Sequence, residues 1–216
     1  MTPKNCFIPK TAIKINLGET NLRINISFAA VITAMLILAE SGYCAIGLFC
    51  CAVHEAAHIV CLLFQGEKPR LVELSYYGVK LERNVLSGVS GINDIIVFLS
   101  GPAVNIAMAA LLCTVYRGNE KIATAAAISF FTGAFNLLPC RPLDGGNILY
   151  AVLCRNTSER KAEKICFTVL CAVLLPLSAA GFTLMIKYRN FTLLTAALYI
   201  TAVSFFDKKE KGSIKL

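Results

Sequence analysis

Six apolar runs, near residues 24–40, 43–64, 94–116, 121–138, 165–186 and 191–206, divide this chain and most constrain what it can fold into. A helix needs about 20 apolar residues to cross the hydrocarbon core of a bilayer. In that medium every backbone polar group must be satisfied within the protein, which favours helices. Composition agrees with such a chain: 56% of residues are hydrophobic and 16% charged, against roughly 45–50% and about 25% in soluble domains.

The charges between the runs give an orientation. With the N-terminus inside, seventeen of the 21 Lys and Arg fall in inside segments and four outside. That bias is the positive-inside signal, and it places both termini in the cytoplasm. The net charge of +8 then follows from topology, and no nucleic-acid partner is implied. The sequence predicts an all-α polytopic membrane protein of about six transmembrane helices, with the lipid bilayer as its first partner. Residues 1–23 form an uncleaved cytoplasmic lead, 24–206 the six-span body and 207–216 a basic cytoplasmic tail.

One loop carries its own pattern. In "RLVELSYYGVKLER", residues 70–83, Val72, Leu74 and Tyr76 alternate with polar residues, and Val79 and Leu81 follow Gly78. Alternation of period two around a glycine predicts a small β-hairpin between the second and third spans. It serves either as a surface cap or as a strand edge that holds an extended peptide. Most of the ten cysteines lie inside apolar runs without C-x-x-C spacing, where a free thiol packs as a small hydrophobe.

The second run contains "HEAAH" at 54–58, and these are the only two histidines in the chain. Ionisable side chains at membrane depth are costly, so they point to function. His54 and His58 are four apart and share one face of a helix, where two imidazoles grip one metal ion. In this pattern Glu55 is the general base that takes a proton from the attacking water. A catalytic zinc usually takes three protein ligands, and no third histidine exists. Asp144, boxed by Pro139, Pro142, Gly145 and Gly146 after an apolar run, is the stronger candidate for irregular backbone lining a wet cavity. Asp94, at the start of the third span, is the other.

"HEAAH", "SGPAVN" at 100–105 and "FNLLPCRPLDGG" at 135–146 occur in that order. Together they resemble the site-2 protease family of intramembrane zinc metalloproteases, peptidase M50. The small six-span form resembles the sporulation protease that processes a pro-sigma factor in endospore-forming bacteria. The resemblance implies one zinc ion per chain on His54, His58 and Asp144, with Glu55 as catalytic base. It assigns Asn136 to the substrate or the developing oxyanion, and leaves Gly101, Pro102 and Asn105 to helix packing. It also implies a bacterial cell membrane, a membrane-associated protein substrate and room for a regulatory membrane partner. A pro-sigma factor is the first choice of substrate, and a membrane-bound regulator already clipped by another protease the second.

Two departures stand out. Arg141 replaces the Asn that usually precedes the Pro of the Asp loop, and it is expected to snorkel to the cytoplasmic surface or to pair with phosphate. The ten residues after Phe206 are expected to form only a tail, without the soluble nucleotide-sensing domain of the sporulation enzymes. A polytopic metal transporter is the alternative: it accounts for the histidines but not for the glutamate after the first.

Overall fold

The computed structural model describes residues 12–17, 20–38, 42–67, 69–75, 78–83, 92–141 and 143–213. It divides into two compact units, Met1–Ser87 and Gly88–Leu216.

The first unit holds strands β1 (Ala12–Leu17), β2 (Thr20–Asn25), β3 (Pro69–Ser75) and β4 (Gly78–Arg83), with helices α1 (Ile26–Leu38) and α2 (Tyr43–Phe64). The strands form one sheet in the order β1-β2-β3-β4, in which β2 and β3 run parallel and the other pairs antiparallel. This corrects two expectations. The polar lead contains a hairpin, β1 and β2, and the hairpin at 70–83 is half of a four-stranded sheet. The register explains the assembly: Ile15, Leu22, Val72 and Leu81 align across the strands, and Lys14, Arg23, Glu73 and Lys80 align on the alternate positions. The row Ile15–Leu22–Val72 is therefore apolar, and in the row Lys14–Arg23–Glu73 opposite charges stand across from each other at Arg23 and Glu73. Asn25 Nδ2 donates to Glu73 Oε1 at 3.1 Å, tying β2 to β3 where α1 begins. Tyr76 lies outside the described residues.

Helix α1 has 13 residues, about 20 Å of helix, which is short of a bilayer core of about 30 Å. In the second unit are α3 (Ile92–Val115), α4 (Glu120–Asn136), α5 (Asp144–Asn156), α6 (Glu159–Tyr188) and α7 (Thr192–Ser213). Helices α2, α3 and α6 are long and apolar enough to cross a membrane, which makes this a multi-pass membrane protein. The other runs expected to span are shorter: α4 has 17 residues, and the apolar part of α7 is Thr192–Ser204. Helix α5 occupies the stretch read from sequence as a loop, and α6 starts at Glu159, six residues before the apolar run.

Small residues set the spacing of α3 and α4. A Cβ on Gly133 would sit 2.9 Å from the Pro102 carbonyl oxygen and 3.2 Å from Asn105 Cβ. One turn earlier, the buried Ser129 hydroxyl donates to the Asn105 carbonyl at 2.8 Å. Pro102 and Asn105 thus build the α3–α4 seam through close backbone approach. Gly133→Leu is expected to pry the pair apart and cost about 3 kcal/mol, read as an earlier midpoint in detergent unfolding. Helix α6 ends with Arg189 in the left-handed conformation (φ 52°). Asn190 Oδ1 then caps α7 by accepting from the Thr192 backbone N–H at 3.0 Å. Among the described residues, nine cysteines are free thiols, of which Cys50, Cys140 and Cys166 are buried.

Candidate metal centre

Helix α2 presents one buried stripe, Cys50, His54, His58 and Leu62, at intervals of four residues. The helix ends in a Schellman motif. Gly66 takes φ 76°, its N–H bonds the Leu63 carbonyl at 2.9 Å, and the Glu67 N–H bonds the Leu62 carbonyl at 3.2 Å. Gly66 has the positive φ this cap needs, so the helix stops two turns after His58.

The two imidazoles converge. His58 Nε2 and His54 Nε2 lie 3.2 Å apart, with ring planes at 85°. Two nitrogens each about 2.0–2.1 Å from a tetrahedral zinc sit about 3.3 Å apart, so the pair already has the spacing of one tetrahedral edge. Glu55 follows His54 on the same helix and is half-buried.

Asp144 is placed by a tightly built turn. Helix α4 ends at Asn136, and the chain reverses through Cys140 N–H to Leu138 O and Leu143 N–H to Cys140 O, both 2.7 Å. The buried Cys140 and Leu143 anchor the turn in a core with Leu170 of α6 and Ile200 of α7. Asp144 then opens α5. The sequence expectation of irregular backbone at Asp144 is corrected: the residue is helical, in the first turn, where the helix dipole favours a carboxylate. Gly145 and Gly146 are helical too. A Cβ on Gly145 would lie 2.1 Å from the Leu137 carbonyl oxygen, and one on Gly146 2.1 Å from the Cys140 carbonyl carbon. The two glycines let the preceding turn lie directly on the helix that carries Asp144.

The ligand atoms of His54, His58 and Asp144 all lie within 4.8 Å of one another, the only such group among the described residues. Two imidazoles and a carboxylate are a donor set suited to zinc, with a fourth position left for water or substrate. Asp94, the other candidate, stands in the first turn of α3 and is outside this group. Asn136 is the last residue of α4, and its Nδ2 donates to the Thr132 carbonyl at 3.0 Å.

The guanidinium carbon of Arg141 lies 4.1 Å from the centroid of the Tyr150 ring on α5, a cation–π stack. Nothing in the sequence around Tyr150 marks it as the partner of Arg141. Burial, reinforced by a hydrogen bond with Cys154, pushes the Tyr150 phenol up to about 12, with Arg141 working in the opposite direction. Between about pH 10, where an unfolded tyrosine ionises, and about 12, the folded chain keeps a proton that the unfolded chain has lost. Stability therefore falls as pH rises through that window. Tyr150→Phe is expected to flatten that alkaline slope and to leave stability near neutral pH unchanged in its pH dependence, as measured by detergent-unfolding midpoints.

Comparison with known proteins places these features. Residues 119–177, covering α4, α5 and much of α6, match Peptidase family M50. A zinc metalloprotease of Methanocaldococcus jannaschii is 26% identical over 146 residues, which are 60% of this chain and 40% of that protein. The chain thus matches less than half the length of this curated relative. The solved structure of a site-2 protease from the same archaeon superposes with a TM-score of 0.63 at 22% identity, covering 88% of this chain and 91% of that one. Both relatives are archaeal proteins; the expected likeness to a sporulation enzyme rests on motif order alone. The chain has the fold of a site-2 protease, a stretch that matches peptidase family M50, and a His-His-Asp group, its two histidines buried, suited to a metal ion.

Proposed function

We propose that this chain is an intramembrane zinc metalloprotease of the site-2 type, cleaving a peptide bond in or near a membrane-associated segment of a protein substrate. The observation that carries this reading is the convergent, buried His54–His58 pair with Asp144 as third donor, in a chain with this fold. His54, His58 and Asp144 would hold one zinc ion, which when bound supplies Lewis acidity and makes water a nucleophile near neutral pH.

The rest is the work of the chain's own side chains. Glu55 takes the proton of the attacking water and returns it to the leaving amine; its place beside His54, half-buried, supports that role. Asn136 directs an amide N–H at the developing oxyanion. Its bond to Thr132 engages one amide hydrogen and leaves the second for substrate. A helical substrate hides its carbonyls, so the cleaved segment is extended; pairing along an edge strand of the sheet, β1 or β4, would hold it so.

For the membrane organisation, the three long apolar helices together with α4, α7 and the short α1 support a body at residues 24–206, with both ends cytoplasmic by the Lys/Arg bias. A bacterial membrane and a pro-sigma factor substrate rest on the motif resemblance to the sporulation protease. The test is cleavage of a membrane-spanning reporter by the purified chain in bilayers, stopped by a zinc chelator and restored by zinc. Zinc flux into vesicles with no cleavage would support a transporter instead.

A further inference from the structure

We propose that Arg141 and Tyr150 form a clamp that positions Asp144, and this rests on the reading of His54, His58 and Asp144 as a metal site. Arg141 stands three residues before Asp144, in the turn; Tyr150 stands six residues after it, on α5. The guanidinium over the Tyr150 ring, 4.1 Å from its centroid, therefore joins the two chain segments that flank the ligand. The joint is not a surface accident. Its backbone partner is the turn itself, where the Cys140 carbonyl and the Arg141 nitrogen press on Gly146 so closely that a Cβ would meet them at 2.2 and 2.3 Å. Backbone contact thus fixes how near the turn lies to α5, and the stack fixes its rotation about the helix.

The long cation of the turn is met by an aromatic ring on the helix that Asp144 opens. A cation–π contact is tolerant of the phenol oxygen but requires the ring and the charge. It acts on Asp144 only through the turn, so Arg141 and Tyr150 are positioning residues. Partners that orient a metal ligand typically change metal affinity by about 10–100-fold when removed.

The experiment uses the full chain in mild detergent, loaded with zinc, and follows zinc loss to a chromogenic chelator for wild type, Arg141→Gln, Tyr150→Leu, Tyr150→Phe and Arg141→Lys. Arg141→Gln and Tyr150→Leu are expected to release zinc about 10-fold faster. Tyr150→Phe, which keeps the ring, is expected to match wild type, and Arg141→Lys to recover part of the loss. The double variant Arg141→Gln/Tyr150→Leu should be no worse than either single one, as for two halves of one contact. A second readout needs no metal. Cys140 is buried in the turn, and its alkylation, followed by peptide mapping in zinc-free protein, should quicken in Arg141→Gln and Tyr150→Leu and not in Tyr150→Phe. Wild-type rates of both zinc loss and Cys140 alkylation in the two disrupting variants would overturn the clamp. So would a Tyr150→Phe that behaves as Tyr150→Leu. If wild type itself holds no zinc, the metal reading fails, and Cys140 alkylation alone decides whether the clamp holds the turn.

Discussion

Glu55→Gln is expected to abolish turnover while leaving zinc binding intact. The amide keeps the shape of the side chain but has no basic oxygen, so the attacking water loses its proton acceptor and the leaving amine its donor. General acid–base catalysis contributes about 10²–10⁴-fold, and one group serving both steps should reach the upper part of that range. The metal ligands His54 and His58 lie on the same helix but are untouched, so zinc per chain should equal wild type. Cleavage of a membrane-spanning reporter alongside metal analysis gives both values on one sample. Retained cleavage would remove Glu55 from the chemistry; lost zinc would make it structural.

Gly146→Ala is expected to destabilise the second unit strongly. Its Cβ would fall 2.1 Å from the Cys140 carbonyl carbon and 2.2 Å from the oxygen, and backbone has no rotamer with which to move away. The turn must lift from α5, disturbing the core of Cys140, Leu143, Leu170 and Ile200. Overpacking of this kind costs about 3 kcal/mol or more. Because Asp144 lies two residues before Gly146, zinc binding should weaken in parallel. Unfolding midpoints and chelator competition measure the two effects; an unchanged midpoint in Gly146→Ala would show that the turn does not lie on the helix as described.

The membrane class and the metal ligands were legible because they rest on strong local signals. Long apolar runs have few alternative folds, and two histidines four residues apart at membrane depth have few bland explanations. Asp144 was found by the same logic, although for a partly mistaken reason. Its Pro–Gly surroundings read as helix-breaking, whereas Gly145 and Gly146 sit within α5 because a neighbouring backbone occupies the space of their side chains. Close approach of segments is a tertiary fact, and glycine looks the same in sequence whether it serves a turn or a contact. The four-stranded sheet was half seen for a related reason. Ile13, Ile15, Leu22 and Ile24 do alternate, but β1 and β2 are short and lie among charges that read as a cytoplasmic lead. Only the parallel pairing of β2 with β3, across residues 26–68 that include α1 and α2, makes them part of one sheet. The Arg141–Tyr150 stack was invisible for want of any spacing rule linking a turn residue to the second turn of the next helix.

The central claim is that His54, His58 and Asp144 form one zinc site. The most direct measurement is zinc per chain in purified wild type, His58→Ala and Asp144→Ala. About one zinc in wild type, and little in either variant, is the expected result for a three-ligand site. Full zinc retained in Asp144→Ala, or none in wild type after supplementation, would contradict it.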